Sequence, residues 1–312
     1  MTSRPRPFRF GVQIAKSRTA QEWREAARKA EALGFDVFQM PDHLGGQLAI
    51  GPALAVVAEV ARTIRIGTLV WQNDLRHPTL LAKEAYTLDV LSEGRFELGI
   101  GAGGSFPPEF EWIGVPLEPA GGRVDRVEEC IRILKGVVAP GPFSFSGTHY
   151  TISDYEGHPK PVQQPHPPIF VGAGGPRMLR IAAREADIIG LLPMFGPGAT
   201  VDDHEIGLEA FEQKVAFIRE VAGERFDRIE FNILVQALAV TDDRAAGIER
   251  LRQERGFDKD IWFESPMVLV GSVDQIVETM EANRERLGVS YYSVFEHNMD
   301  EFAPIVARLD GR

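Results

Sequence analysis

Short apolar runs alternate with longer amphipathic stretches from one end of the chain to the other. "FRFGVQI" (8–14) reads as a first strand, and "TAQEWREAARKAEALG" (19–34) as a helix with a threonine cap and a terminal glycine. "FDVFQM" (35–40) and "GPALAVVAEVAR" (51–62) repeat the pair. "IRIGTLVW" (64–71) leads into "PTLLAKEAYTLDVLS" (78–92), whose proline suits a first helical turn. "RFELGIG" (95–101) and "GGRVDRVEECIRILKG" (121–136) form the fourth unit. "PIFVGAG" (168–174) precedes "PRMLRIAAREA" (176–186), and "DIIGLL" (187–192) precedes a long helix around residues 204–222. "RIEFNILVQALAV" (228–240) reads as a seventh strand, "SVDQIVETMEANRERLG" (272–288) as a helix and "VSYYSVFE" (289–296) as an eighth strand. Eight strands alternating with helices, without hairpin pairs between them, indicate parallel βαβ units. Their number favours a single closed (β/α)8 TIM barrel over residues 1–312 rather than a doubly wound sheet.

Three segments exceed simple connections. The proline-rich stretch 139–167 encloses "FSFSGTHYTI", which reads as a small hairpin outside the barrel. "PMFGPGATVDD" (193–203) is a glycine- and proline-rich loop, and 241–271 is a charged, partly helical excursion. Long ordered segments of this kind often serve as lids or binding loops.

Composition narrows the class. The chain has 312 residues, 44% hydrophobic and 25% charged, as expected of a globular protein with a sizeable core. A net charge of -11 argues against nucleic acid or an anionic membrane as partner. No apolar run reaches membrane-span length, and the N-terminus lacks the apolar region of a signal peptide, so a cytoplasmic location is expected. The one cysteine, Cys130, lies in a helical pattern and reads as buried filler. The seven histidines show no metal-ligand spacing, and no GxSxG elbow is present.

Candidate chemistry gathers at strand ends. In a parallel barrel the carboxyl ends of the strands face the mouth where ligands bind. Asp42 and His43 follow the second strand in "FQMPDHLGG", a rigid place for a proton-transfer pair, and histidine is the side chain whose charge changes near neutrality. Position alone equally allows a turn-capping acid and a solvated imidazole. Two glycine turns add to the picture, "GIGAGG" (99–104) and "VGAGGPRMLRIA" (171–182). In the second, Gly172, Gly174 and Gly175 would offer backbone N–H groups ahead of a helix that begins with Pro176 and Arg177, an arrangement suited to phosphate. A tight turn needing glycine only for sterics would look the same. The spacing is not the dinucleotide fingerprint GxGxxG, which disfavours a Rossmann dehydrogenase.

Taken together, "GFDVFQMPDHL", "IRIGTLVWQNDLRHPTLLAKEAYTLDVLSEGRFELGIGAG", "PPIFVGAGGPRMLRIAAREADIIGL" and "LVGSVDQIVETM" resemble the bacterial luciferase-like superfamily, in particular its branch using the deazaflavin coenzyme F420. The resemblance covers nearly the whole chain and implies a TIM barrel of eight units with insertions. It implies that Asp42 and His43 are the strand-two acid and imidazole, with His43 near the reacting carbon of the cofactor ring and oriented by a neighbour such as Asp42. Leu69 and Val70 match the strand-three bulge behind the ring, often with a non-proline cis peptide. Gly101, Ala102 and Gly103 match the strand-four turn, and Gly172, Ala173, Gly174, Gly175 and Pro176 the phosphate loop. Gln13, at the end of strand one, joins the set by its place in the barrel. Members acting on a sugar phosphate carry an acid directly after strand four, where this chain has Gly104 and Ser105, which argues against that substrate.

The expected activity is hydride transfer between F420 and a small organic substrate, with His43 as acid or base. Trp71, Phe106, Phe110, Trp112 and Phe195 are candidate pocket walls. The alternatives are an FMN-dependent monooxygenase and a flavin- or deazaflavin-binding protein without turnover. The resemblance implies a homodimer and a small-molecule substrate.

Overall fold

A computed structural model of the protein describes residues 6–104, 106–195 and 200–312. Its strands are β1 Arg9–Gln13, β2 Val37–Met40, β3 Arg65–Thr68, β4 Trp71–Gln72, β5 Phe96–Gly101, β6 Phe143–Ser146, β7 Thr151–Tyr155, β8 Ile169–Ala173, β9 Ile188–Leu191, β10 Glu230–Leu234, β11 Ala237–Val240, β12 Val268–Gly271 and β13 Val289–Phe295. The main sheet runs β3-β2-β1-β13-β10-β9-β8-β5-β4, and β3 also pairs with β5. Eight strands therefore close on themselves as a (β/α)8 barrel, as the alternation of runs implies. Strands buried on both faces explain why the runs are continuously apolar instead of alternating.

The described residues divide into two compact units. One comprises residues 15–28 and 39–172. Its helices include α2 Ile50–Val60, α3 Pro78–Leu91, α4 Pro108–Trp112 and α5 Ala120–Val138. Parallel pairs set its register, with Ile66 opposite Phe96, Trp71 opposite Ile100 and Leu98 opposite Ile169. Trp71, Phe96 and Phe110 are fully buried in its core, as is Cys130 on α5. The Tyr86 hydroxyl on α3 donates to the Leu134 carbonyl on α5. The expected hairpin is present as the antiparallel pair β6–β7.

The other unit comprises residues 6–14, 29–38 and 173–312. It carries α6 Pro176–Glu185, α7 Leu208–Ala222, α8 Arg244–Arg255, α9 Val273–Leu287 and α10 Met299–Leu309; α1 Ala20–Ala32 is divided between the units. Helix α1 opens on a reciprocal cap in which Thr19 and Glu22 bond each other's backbone and side chain. Helix α9 opens on a capping box between Ser272 and Gln275 and ends at Gly288 in the left-handed region.

Four elements depart from the sequence reading. The seventh run is two strands: Val235 N–H still donates to Ser293, but Gln236 N–H donates to Met267. β11 therefore leaves the barrel and pairs with β12 over a small core that includes Leu251 and Phe257. An unbroken apolar run does not show where a strand changes partner. The third run is likewise interrupted between β3 and β4. Before α7, residues Asp203–Glu205 form a separate 3₁₀ turn. Helix α10 was not anticipated because Pro304 lies inside it and interrupts the helical pattern. Residues 196–199 of the 193–203 loop, and Ser105, lie outside the described residues.

Candidate active site

β2 ends at Met40, whose carbonyl accepts from Leu69 N–H at 2.7 Å, so the chain leaves the strand at a fixed point. Two residues on, the Asp42 carboxylate is buried at 5% exposure. Arg76 grips both its oxygens, Nη1 at 2.5 Å from Oδ2 and Nη2 at 3.1 Å from Oδ1, and Gln72 N–H adds a bond to Oδ2 at 2.9 Å. The Asp42 carboxylate anchors the loop to Arg76 and Gln72 and is not the hydrogen-bonded neighbour that orients His43. That expectation is corrected.

Glu109 orients His43 instead. His43 Nδ1 lies 3.1 Å from Glu109 Oε1 and 3.0 Å from Oε2. The carboxylate is 1% exposed and also accepts from Leu44 N–H at 2.7 Å and Gln72 Nε2 at 3.0 Å. Burial pushes the Glu109 carboxyl up, but the bonds from His43, Gln72 and Leu44 outweigh it and hold the group below the usual carboxylate range. An ionised carboxylate only accepts, so Nδ1 carries a proton toward it. Nε2 has no hydrogen-bond partner among the described residues, and the His43 side chain is 39% exposed. Gln72 ties the cluster together: its Nε2 also donates to the Asp42 carbonyl at 2.5 Å, and its Oε1 accepts from Gly104 N–H at 3.3 Å.

The third strand run is interrupted at Leu69 and Val70. The Leu69–Val70 peptide is cis, between β3 and β4. Gly101 ends β5 so close to Val70 that an added Cβ would stand 2.7 Å from its Cγ2. Ala102 follows, and Gly103 takes φ +65°, a conformation most side chains avoid.

The remaining expected residues belong to the other unit, apart from Gly172 at its boundary. Gln13 ends β1 with 9% exposure. Gly172 and Ala173 end β8, Gly175 caps α6, and Pro176 is its exposed first residue. None of these glycines has the positive φ that would by itself demand glycine. Gly174 is required for space: a Cβ there would lie 2.2 Å from the Pro193 carbonyl oxygen. Gly175 has φ -84° and ψ 157°, with nothing nearer to an added Cβ than Met194 at 3.7 Å. Thermal melts should separate the two, with Gly174→Ala losing about 1–3 kcal/mol through forced backbone shifts and Gly175→Ala melting like the parent.

A profile of the luciferase-like monooxygenase family matches residues 6–264. The chain belongs to that family. Over 110 residues this luciferase-like protein is 40% identical to the FMNH(2)-dependent dimethylsulfone monooxygenase of Pseudomonas putida, covering 35% of this chain and 30% of that protein. Over 190 residues it is 30% identical to the F420-dependent glucose-6-phosphate dehydrogenase of Microbacterium testaceum, covering 58% and 55%. The chain thus spans about half, or less, of the length of these curated relatives. The solved coenzyme F420 dependent tetrahydromethanopterin reductase of Methanopyrus kandleri matches it with a TM-score of 0.78 and 18% identity, covering 97% of this chain and 98% of that one. At that identity the likeness is one of fold.

Sequence reasoning about this luciferase-like chain missed Glu109, Gln72 and Arg76. The available signal for Glu109 was one of two acids, with Glu111, interleaved with aromatics after two prolines in "PPEFEW". Of the expected pocket walls, Trp71 and Phe110 are core residues, whereas Phe106, Trp112 and Phe195 are exposed.

Proposed function

We propose that this luciferase-like protein transfers a hydride between coenzyme F420 and a small organic substrate, with His43 handling the accompanying proton. The arrangement of His43 carries this reading: Nδ1 is committed to a buried, ionised Glu109 and Nε2 is left for a ligand. A fixed carboxylate beside the ring stabilises the imidazolium formed when Nε2 takes a proton. In an alcohol oxidation His43 Nε2 would take up the substrate's O–H proton, and a bound deazaflavin would supply the acceptor for the hydride, so that a carbonyl would result. Reduction runs the same transfers in reverse. When bound, the coenzyme supplies the carbon that accepts or gives the hydride.

The chain's residues fit a phosphate-bearing cofactor of the flavin type. Pro176 and Arg177 at the start of α6 are exposed, and the space beside Gly175 leaves its backbone approachable. In this reading Gly172, Ala173, Gly174, Gly175 and Pro176 hold the phosphate. Leu69, Val70, Gly101, Ala102 and Gly103 back the ring, with Gln13 a further contact. Likeness to an F420-dependent dehydrogenase supports the choice of F420. The 40% identity to an FMNH(2)-dependent enzyme supports the second reading, an FMN-dependent monooxygenase.

Titrating the purified protein with F420 and with FMN while following fluorescence tests the choice. F420 is expected to bind in preference, and tight FMN binding without F420 binding would move the protein to the monooxygenase class. Gly175→Val has a strand-like backbone that tolerates valine, so its melt should match the parent. Its affinity for the preferred cofactor should fall about tenfold or more, the worth of one charge-assisted hydrogen bond. Unchanged affinity would show that the α6 turn holds no phosphate.

A further inference from the structure

A second binding place is marked by an orphaned amide. Asn283 on α9 is 4% exposed, yet its Nδ2 has no hydrogen-bond partner among the described residues. Tyr292, near enough to feel that amide, does not satisfy it, since its own hydroxyl is also without one. A buried donor is seldom left unpaired, and such an exception calls for a ligand, an ion or a water. Asn283 lines a cleft of about 210 Å³ that lies wholly within the unit of residues 6–14, 29–38 and 173–312. With about 30 Å³ for each water-sized group, that is room for about seven of them.

The lining residues narrow the occupant. Ser265, also buried, lines the cleft, and its Oγ accepts only a long bond from Met267 N–H at 3.4 Å, so its hydroxyl hydrogen is left to donate. Arg244, exposed at the start of α8, has no ion-pair or hydrogen-bond partner among the described residues. Arg286 lines the cleft too and is held by Glu212 through Nε and Nη2. The acid among the lining residues is Glu264. An apolar wall comes from Phe263, in the 3₁₀ turn Asp260–Glu264, and from Val268 and Val270, which share a face of β12. Two buried donors and two guanidinium groups call for an acceptor with negative charge. Glu264 would repel a dianion such as phosphate more than a single carboxylate, and the apolar wall favours hydrocarbon.

We propose that this cleft binds a small organic monocarboxylate with a short branched hydrocarbon chain. The carboxylate takes the Asn283 and Ser265 donors and pairs with Arg244, and the hydrocarbon lies against Phe263, Val268 and Val270. None of the residues assigned to hydride transfer lines this cleft.

Calorimetric titration of the purified protein with isovalerate, which suits that volume, tests the site. Isovalerate should bind, the neutral isovaleramide should bind about tenfold more weakly, and inorganic phosphate should not bind. Arg244→Gln should weaken isovalerate about tenfold and, because the side chain is exposed, melt like the parent. Asn283→Leu should weaken it similarly without loss of stability, since it removes a donor that the fold leaves unpaired. Should Asn283→Leu melt early, Arg244→Gln alone decides. His43→Ala should bind isovalerate like the parent. Equal binding of acid and amide, or parental affinity in Arg244→Gln, would overturn the proposal. So would absence of isovalerate binding, or affinity lost only in His43→Ala, which would place the acid at the imidazole. Phosphate binding that Arg244→Gln abolishes would make the cleft an inorganic anion site and overturn the organic ligand.

Discussion

Replacing His43 by alanine should keep the fold and most of the cofactor affinity while slowing turnover by about 10²–10⁴-fold, the usual worth of a positioned acid–base group. The fold should survive because the side chain is 39% exposed and its removal opens no core cavity. Glu109 keeps the Leu44 and Gln72 donors when the imidazole is gone. His43→Asn separates two roles. It keeps an N–H that can reach toward Glu109 but no group that can take up a proton. If His43 acts on the proton, the asparagine variant should be nearly as slow as the alanine variant, with KM closer to the parent. If His43 only positions the substrate, asparagine should recover much of kcat. Turnover of His43→Ala at the parental rate would make this residue a solvated turn histidine and shift the proton to another donor.

How much of this was legible in the sequence depends on what each feature requires. The barrel was legible because most strands are buried and read as short apolar runs, and amphipathic helices alternate with them. His43 was legible because a strand end is a defined place in such a barrel. Its partner was not, because Glu109 is 66 residues away in sequence and sits on a helix of only five residues. Adjacency made Asp42 the natural candidate, yet a residue beside His43 in sequence projects elsewhere, and here it meets Arg76. The α6 turn shows a similar limit. Glycine there allowed either backbone N–H groups open to a phosphate or a purely steric need, and the structure needs Gly174 for space, because the Pro193 carbonyl passes too close for any side chain. Sequence shows that a glycine is present; only packing shows which property of glycine is used.

The second large effect is expected at Glu109. In Glu109→Gln one carboxylate oxygen becomes an NH2 group, so at least one of the three donors from His43, Leu44 and Gln72 must face another donor. Leaving a buried donor unpaired costs about 1–3 kcal/mol, and the variant should lose that much stability at neutral pH. It should also lose the fixed negative charge that stabilises a protonated His43, so turnover should fall about 10²-fold, toward the low end for acid–base groups. Because the folded protein holds this carboxyl below its usual 4.5, its contribution to stability is complete above that pH and is lost as pH falls through the lowered value. The stability gap between parent and Glu109→Gln should therefore be widest at neutral pH and narrow below about 4.5. Chemical denaturation across that range measures the gap, and Glu109→Asp, which keeps the charge on a shorter arm, should regain part of the turnover. A gap that stays constant through the acid range would mean that Glu109 is not held ionised by its donors. Parental turnover in Glu109→Gln would remove it from the proton-transfer site and leave it as an anchor for the Leu44 turn.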